Sequence, residues 1–391
     1  MKEVDKIIYR GNDTYTKLYK GDTLEYQKKI DYLSFTALES SSVGTVITGT
    51  ISPKPNIEYS KNKSDWFDLT STTVSLNAGE TIYIRGNNPN SFSLDAANYI
   101  RFTMTGNIKA SGSIATLVNQ TGYNAVIPSS GFLFIGLFRE CAALSNVDNL
   151  KLMDATGIPN CYQYFFMKTG LVTVPDNLLE NCGIAGGMFN STFRECLSLT
   201  KAPKLPKVSV LPKDYYANMF NRCIALSDIS NIDLRNTEIG YGSCLQMFYN
   251  CTGITKAAYM ANNTFTTGSK NNMLSMYNGC TNLNDITGID FKDTTLTTGC
   301  MEQMFSGCKL LTAAPTLPAK TLSERCYWHM FTGCNNLNYI KCLATDISAN
   351  SCTNNWLYNA ASTGTFVKSA NMTGWTTGAS GIPTGWTVEN E

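Results

Sequence analysis

The stretch MFSGCKLLTAAPTLPAKTLSERCYWHMFTGC, Met304–Cys334, carries the phrase Met-Phe-x-Gly-Cys at both of its ends. Aligned on the aromatic residue, related phrases recur along the chain as LFREC, FFMKT, TFREC, MFNRC, MFYNC, MYNGC, MFSGC, MFTGC and WLYNA. The aligned positions are Phe138, Phe166, Phe193, Phe220, Phe248, Tyr277, Phe305, Phe331 and Leu357, at spacings of 26 to 29 residues. A fixed period of this size predicts a solenoid, in which each unit buries its apolar side only against its neighbours.

Within each unit, the sequence predicts a short helix, a turn and a short strand. Apolar residues recur at every third position after the cysteine of the phrase, which fits a short strand entering a bend of the solenoid. The first of these positions holds Leu144, Val172, Leu199, Leu226, Ile254, Leu283, Leu311 and Leu337. Upstream, Cys326, Met330, Phe331 and Cys334 are spaced i, i+4, i+5 and i+8, as on one face of a helix.

The segment MFSGCKLLTAAPTLPAKTL, which begins at Met304, resembles the BspA-like leucine-rich repeats of Bacteroides and treponemal surface proteins and of phages of gut Bacteroidales. The resemblance covers residues 131–361, although units such as YFFMKTGLVTVP and CTGITKAAYM depart from the pattern. It implies a right-handed leucine-rich-repeat solenoid used for binding or adhesion. It transfers no catalytic residues to this chain.

The flanking sequences predict three further segments, so that the expected fold class is α+β. Residues 1–30 hold a miniature repeat, IYRGNDTYTK then LYKGDTLEYQ, which places Gly11 and Gly21 in tight turns of a β-hairpin docking segment similar to those of phage tail-associated proteins. Residues 31–128 alternate apolar and polar residues between turns, as in an antiparallel β-sandwich. The solenoid takes residues 129–361, in about nine units, and residues 362–391 form a short β cap.

The composition argues against several classes of function. The formal net charge is +1 and no basic stripe is present, so we do not expect nucleic acid as a partner. The stretch MKEVDKIIYRGNDTY has no apolar core or cleavage site of a signal peptide; either that export route is not used or the sequence begins after the signal. The longest apolar run, GFLFIGLF, is far shorter than the roughly 20 residues of a membrane helix, so no membrane insertion is expected.

Fourteen cysteines raise the question of metal or disulfide chemistry. The close pairs, such as Cys300 with Cys308, are eight residues apart, whereas zinc ligands are typically two to four apart. Eight residues along a helix span about 12 Å, too far for a disulfide within a unit. The spacing does not exclude disulfides between adjacent units, because stacked strands lie about 4.8 Å apart. We favour reduced, buried core cysteines.

No catalytic constellation is evident. His329 is the only histidine, which excludes a multi-histidine metal site and a histidine-based triad. Phosphate-binding loops, nucleophile elbows and paired carboxylates in a glycosidase context are likewise missing from the sequence. We therefore predict no enzyme activity, no cofactor and no bound metal.

Two sets of residues are candidates for binding. Five positions after the cysteine, residues of alternating charge occur on successive units and should point outward: Lys201, Asp228, Lys256 and Asp285, with Tyr339 and Lys341 added further along. The charged row is either a ladder of opposite charges, at about 0.2 to 1 kcal/mol per pair, or the floor of a binding face. In the tail, Trp375 and Trp386 form either part of the cap or a sugar-stacking platform.

These observations predict a non-enzymatic structural or interaction protein of a phage virion, at its tail or capsid surface. The amino-terminal β region would dock to other virion proteins, and the solenoid would face a host surface glycan or protein. The alternative is a Bacteroides adhesin, secreted to the bacterial cell surface. The sequence leaves homo-oligomerisation open. A third class, a carbohydrate-active enzyme, has no catalytic signature in the sequence to support it.

Overall fold

The computed structural model describes residues 6–8, 15–20, 23–89, 92–120, 122, 131–292 and 295–391, with side chains from Ile30 onwards. This part of the chain is nearly all β with almost no helix, and its carboxy-terminal region forms a β-solenoid of about seven turns. Its one helix is a 3₁₀ helix, Ile114–Leu117. The solenoid is therefore confirmed, whereas the α+β fold class and the helix in each unit are wrong.

The amino-terminal segment is a three-stranded antiparallel sheet. Its strands are β1 (Lys6–Ile8), β2 (Tyr15–Lys20) and β3 (Thr23–Lys29), in the order β1-β2-β3. The strands of the miniature repeat are thus present. The turns expected at Gly11 and Gly21 lie outside the described residues.

The following region contributes two sheets. Its strands are β4 (Leu33–Ala37), β5 (Ser41–Thr48), β6 (Ile57–Ser60), β7 (Phe67–Asp68), β8 (Val74–Leu76), β9 (Thr81–Gly86), β10 (Tyr99–Thr105), β11 (Ile108–Ser113) and β12 (Leu144–Lys151). One sheet has the order β12-β11-β4-β9-β6-β7 and the other the order β10-β5-β8. Phe35 of the first and Phe102 of the second pack with ring centroids 4.8 Å apart. A complete β-sandwich over residues 31–128 stays a prediction.

The solenoid strands are short and pair in parallel. They are β13 (Val210–Leu211), β14 (Glu238–Ile239), β15 (Met260–Ala261), β16 (Thr264–Phe265), β17 (Ile289–Asp290), β18 (Tyr339–Cys342), β19 (Gly364–Lys368) and β20 (Trp386–Asn390). The pairs are β13-β14-β16, β15-β17 and β18-β19-β20. Parallel pairing of consecutive units is what a stacked solenoid requires.

The aromatic residues of the repeated phrase form one continuous ladder through the core. From Phe138 to Phe331, successive rings stack with centroids 5.3 to 5.7 Å apart and with planes within 13° of one another. We call each turn of the solenoid a rung and name it by its ladder aromatic. At the start of the ladder, Phe102 stacks on Phe138 at 5.6 Å and β11 pairs with β12, so the preceding sheets cover the first rung.

Consecutive β-turns, and not helices, carry the repeated phrase. In the Phe305 rung, Cys308 N–H donates to the carbonyl of Phe305 three residues earlier (3.1 Å), while Phe305 N–H donates to Met330 of the next rung (2.9 Å). Residues with positive φ recur at every fourth position, at Gly299, Gln303 and Gly307 in this rung. A positive φ at the third residue is the requirement of a type II turn. Residues with positive φ are outside the right-handed helical conformation, so this segment does not form the continuous hydrogen bonds of an α-helix.

The helix prediction gave the correct buried side chains, but the backbone that carries them is not helical. Cys326, Met330 and Cys334 are all fully buried, because a turn every four residues places i, i+4 and i+8 on one side, much as a helix of 3.6 residues per turn does. One core assignment was also wrong. Val172 is 49% exposed and Leu171 takes the core position, since that unit is one residue shorter.

Removing a ladder ring should destabilise the solenoid strongly. Phe305 is fully buried and stacks between Tyr277 and Phe331, so Phe305→Ala should cost about 3 to 5 kcal/mol. Chemical denaturation would measure this loss. The matched control is Leu310→Ala at a 43% exposed site in the same rung, where the expected change is within about 0.5 kcal/mol. Equal effects at both positions would contradict the ladder.

The left-handed positions predict two changes of opposite sign. Gly307 has φ +74° and room for a methyl group, since the nearest atoms are 3.7 Å from an added Cβ. Gly307→Ala should therefore destabilise by about 1 kcal/mol through backbone strain alone. Arg222 occupies the same turn position with φ 62° and an exposed side chain, so Arg222→Gly should stabilise by a similar amount, about 1 kcal/mol. Denaturant midpoints that move in the same direction for both variants would contradict the turn geometry.

Candidate functional site

The row of alternating charges exists, but as two separate pairs. Backbone β-bridges join Lys201 to Asp228 and Lys256 to Asp285. The ammonium of Lys256 lies 3.1 Å from Asp285, whereas that of Lys201 pairs with Asp176 at 3.0 Å. Among the described residues, no bridge joins Asp228 to Lys256, so the uninterrupted ladder that the sequence suggested is broken in the middle.

The carboxylates of this row also hold their own turns. Asp228 accepts hydrogen bonds from the backbone N–H (3.0 Å) and hydroxyl (2.6 Å) of Ser230, and Asp285 accepts the same pair from Thr287 (2.9 and 2.6 Å). The bonds from Thr287, together with Lys256, lower the pKa of Asp285 to about 2; those from Ser230 lower the pKa of Asp228. Both side chains therefore stay charged well below neutral pH.

A cavity of about 280 Å³ lies where the bridge between Asp228 and Lys256 is missing. It is lined by Asp228, Ile229 and Ser230 of the Phe220 rung and by Lys256, Ala257 and Tyr259 of the Phe248 rung. The next bridge between these two rungs joins Asp233 to Tyr259. Tyr259 is 37% exposed, which leaves part of its ring free at the edge of the cavity.

A second cavity of about 610 Å³ shares no lining residue with the first, but a cation–π contact links a residue of each lining. Residues of three consecutive rungs line it, including Leu205 and Lys207, then Asp233, Arg235 and Asn236, then Asn262. Arg235 donates to both carboxylate oxygens of Asp233, from Nε at 2.9 Å and from Nη2 at 2.7 Å. Its guanidinium lies 5.3 Å from the centroid of the Tyr259 ring. We call the two cavities together the Tyr259 groove.

Four of the six sequence-predicted face residues lie outside this groove, Lys201 and Asp285 among them. Tyr339, in β18, is 40% exposed and lies three rungs beyond Tyr259. Lys341, on the same strand, forms an ion pair with Glu391 at 2.7 Å. The predicted set is therefore divided, and only Asp228 and Lys256 line the groove itself.

The two tail tryptophans pack against the end of the solenoid. Trp375 stacks on Trp356 with centroids 5.4 Å apart, and Trp386 is 7% exposed and donates from Nε1 to the carbonyl of Ala361 at 2.8 Å. A sugar-stacking platform needs open ring faces. This packing favours the cap interpretation over the platform.

All fourteen cysteines are buried and free. The thiol of each cysteine in the repeated phrase donates to the carbonyl of the preceding ladder aromatic, as from Cys308 to Tyr277 at 3.2 Å and from Cys334 to Phe305 at 3.0 Å. Burial raises the pKa of Cys334 and of Cys280 to about 12. The thiolate, which is the nucleophile and the metal ligand, is therefore scarce at neutral pH.

Tyr259, Asp233 and Arg235 are not among the residues that the sequence predicted for the site. The signal for Tyr259 was available, because core positions fall six and nine residues after Cys251 and the eighth position lies between them, on the outward side. Arg235 carried no such signal, since its contact with Tyr259 joins two different rungs.

No protein-family model, curated protein or solved structure matches this chain. The resemblance to BspA-like repeats therefore stays a prediction. In the described part of the chain, no helix has the length and apolar character needed to cross a bilayer.

The buried thiols should be protected until the protein unfolds. Iodoacetamide at pH 8 should leave the native protein largely unlabelled, because thiolates are disfavoured in the core. After unfolding without reductant, intact mass should show fourteen adducts. Pairs of cysteines that stay unlabelled in the unfolded, unreduced protein would reveal disulfides and contradict the structure.

Proposed function

We propose that this chain is a non-enzymatic interaction protein whose solenoid presents the Tyr259 groove to a host surface glycan or protein. The observation that supports this proposal is the exposed Tyr259 ring, which lines one cavity and contacts Arg235 of the other. Side chains fixed on stacked rungs lose little conformational freedom on binding, which favours affinity. Exposed aromatic and arginine side chains are also the residue types that dominate binding energies.

We place the protein on the surface of a phage virion. We also propose that its solenoid is right-handed and of the BspA-like type. In this proposal the amino-terminal β region, including a β-sandwich over residues 31–128, docks to other virion proteins. The pairing of β11 with β12 supports it, because that contact would hold the solenoid in a fixed direction relative to the docked region. The alternative is a Bacteroides cell-surface adhesin that uses the same groove.

Binding to whole host cells tests the proposed role. Fluorescently labelled protein should bind Bacteroidales cells, and Tyr259→Ala should weaken this binding about tenfold or more, as loss of a central aromatic contact does. Tyr241→Ala is the matched control, because Tyr241 is a 42% exposed tyrosine with its own cation contact, from Lys213 at 5.3 Å, and it lines neither cavity. Cell binding that both variants retain in full would contradict the proposal.

A further inference from the structure

We infer that the Tyr259 groove binds a neutral, extended oligosaccharide that lies along the solenoid axis. This inference rests on the proposed function and narrows it to one class of ligand. Its basis is the juxtaposition of an exposed aromatic ring with hydrogen-bonding side chains at two cavities of about 280 and 610 Å³, whose linings meet at the contact of Tyr259 with Arg235. Cavities in this size range are typical of sites for small and medium-sized ligands, and protein interfaces are flatter.

The shape of the groove favours a chain-like ligand over a compact one. The larger cavity crosses three consecutive rungs, and the smaller one crosses two of the same rungs. Ladder rings in these rungs are 5.5 and 5.6 Å apart, which sets the repeat along the axis. A hexose residue in an extended chain advances by a similar length, so successive sugars would meet successive rungs.

The chemistry of the lining matches a polyol. The apolar face of a pyranose ring can pack on the part of Tyr259 that Arg235 leaves exposed. The carboxylates of Asp228 and Asp233 can accept hydrogen bonds from sugar hydroxyls, and Arg235 and Lys256 can donate to them. Arg235 is already held by Asp233, so this donor is positioned before the ligand arrives.

The charge balance favours a neutral saccharide over an acidic one. The lining carries three cations, Lys207, Arg235 and Lys256, and two carboxylates, Asp228 and Asp233. Arg235 pairs with Asp233, and Lys256 pairs with Asp285, which lies outside the lining. Because two of the three cations are already paired with carboxylates, the groove offers little net attraction to carboxylated or sulfated sugars. Hydroxyl groups, which both donate and accept, fit such a mixed surface.

An array of defined oligosaccharides tests the inference directly. The full chain is applied to neutral oligosaccharides of increasing length and to their sialylated and sulfated counterparts, and affinities of bound members are measured by calorimetry. We expect neutral members to bind, with affinity rising from monosaccharide to trisaccharide as all three rungs become occupied. Tyr259→Ala should weaken binding at least tenfold, while Tyr259→Phe, which keeps the ring, and Tyr241→Ala should each change it less than twofold.

Several outcomes would overturn the inference. These are the absence of any bound neutral oligosaccharide, equal affinity for mono- and trisaccharides, a preference for acidic members, and undiminished binding by Tyr259→Ala. The cell assay separates this failure from that of the proposed function. If cell binding depends on Tyr259 but excess neutral trisaccharide does not compete for it, the partner is of another class and only the oligosaccharide inference falls.

Discussion

The alternation of backbone hydrogen bonds is the constraint on which the solenoid depends. In the phrase segments, one N–H closes a turn within its own rung and the next crosses to the neighbouring rung. This arrangement satisfies the backbone of a segment that contains neither helix nor long strand. It also requires a residue with positive φ at every fourth position, which explains the glycine of the phrase. In other rungs, residues such as Arg222 and Asn250 adopt the same positive φ. The replacements cost backbone strain that the stacking must offset.

The aromatic ladder and the cysteines follow from that backbone. Since each rung repeats the same turns, the same inward position recurs at one spacing and a flat ring can stack on the ring before it. The cysteine three residues later is fully buried, and its thiol donates to the carbonyl of the preceding ladder residue. A serine hydroxyl would satisfy the same carbonyl but would lose the apolar contact of sulfur. The repeated phrase is thus one ring, one left-handed residue and one thiol per rung.

The sequence predicted the period, the ladder residues and the burial of the cysteines, because all three depend on spacing alone. It did not predict the backbone, because turns repeating every four residues bury almost the same positions as a helix of 3.6 residues per turn over two turns. The glycine of the phrase is typical of a position with positive φ, but other units have Glu195 or Lys168 there, so the sequence did not indicate this conformation. At the candidate site, Asp228 and Lys256 could be found from the repeat, whereas the pairing of Arg235 with Tyr259 depends on how two rungs are offset.

That offset explains why a cavity forms at this place on the solenoid. Lys201 with Asp228, and Lys256 with Asp285, are joined by backbone bridges at the same repeat position. Between the Phe220 and Phe248 rungs the bridge instead joins Asp233 to Tyr259. These residues lie five positions after Asp228 and three positions after Lys256. The unequal lengths leave Asp228 and Lys256 without a direct backbone link, and the smaller cavity lies in the resulting gap. The local difference between two otherwise equivalent rungs is therefore what opens this cavity in the stack.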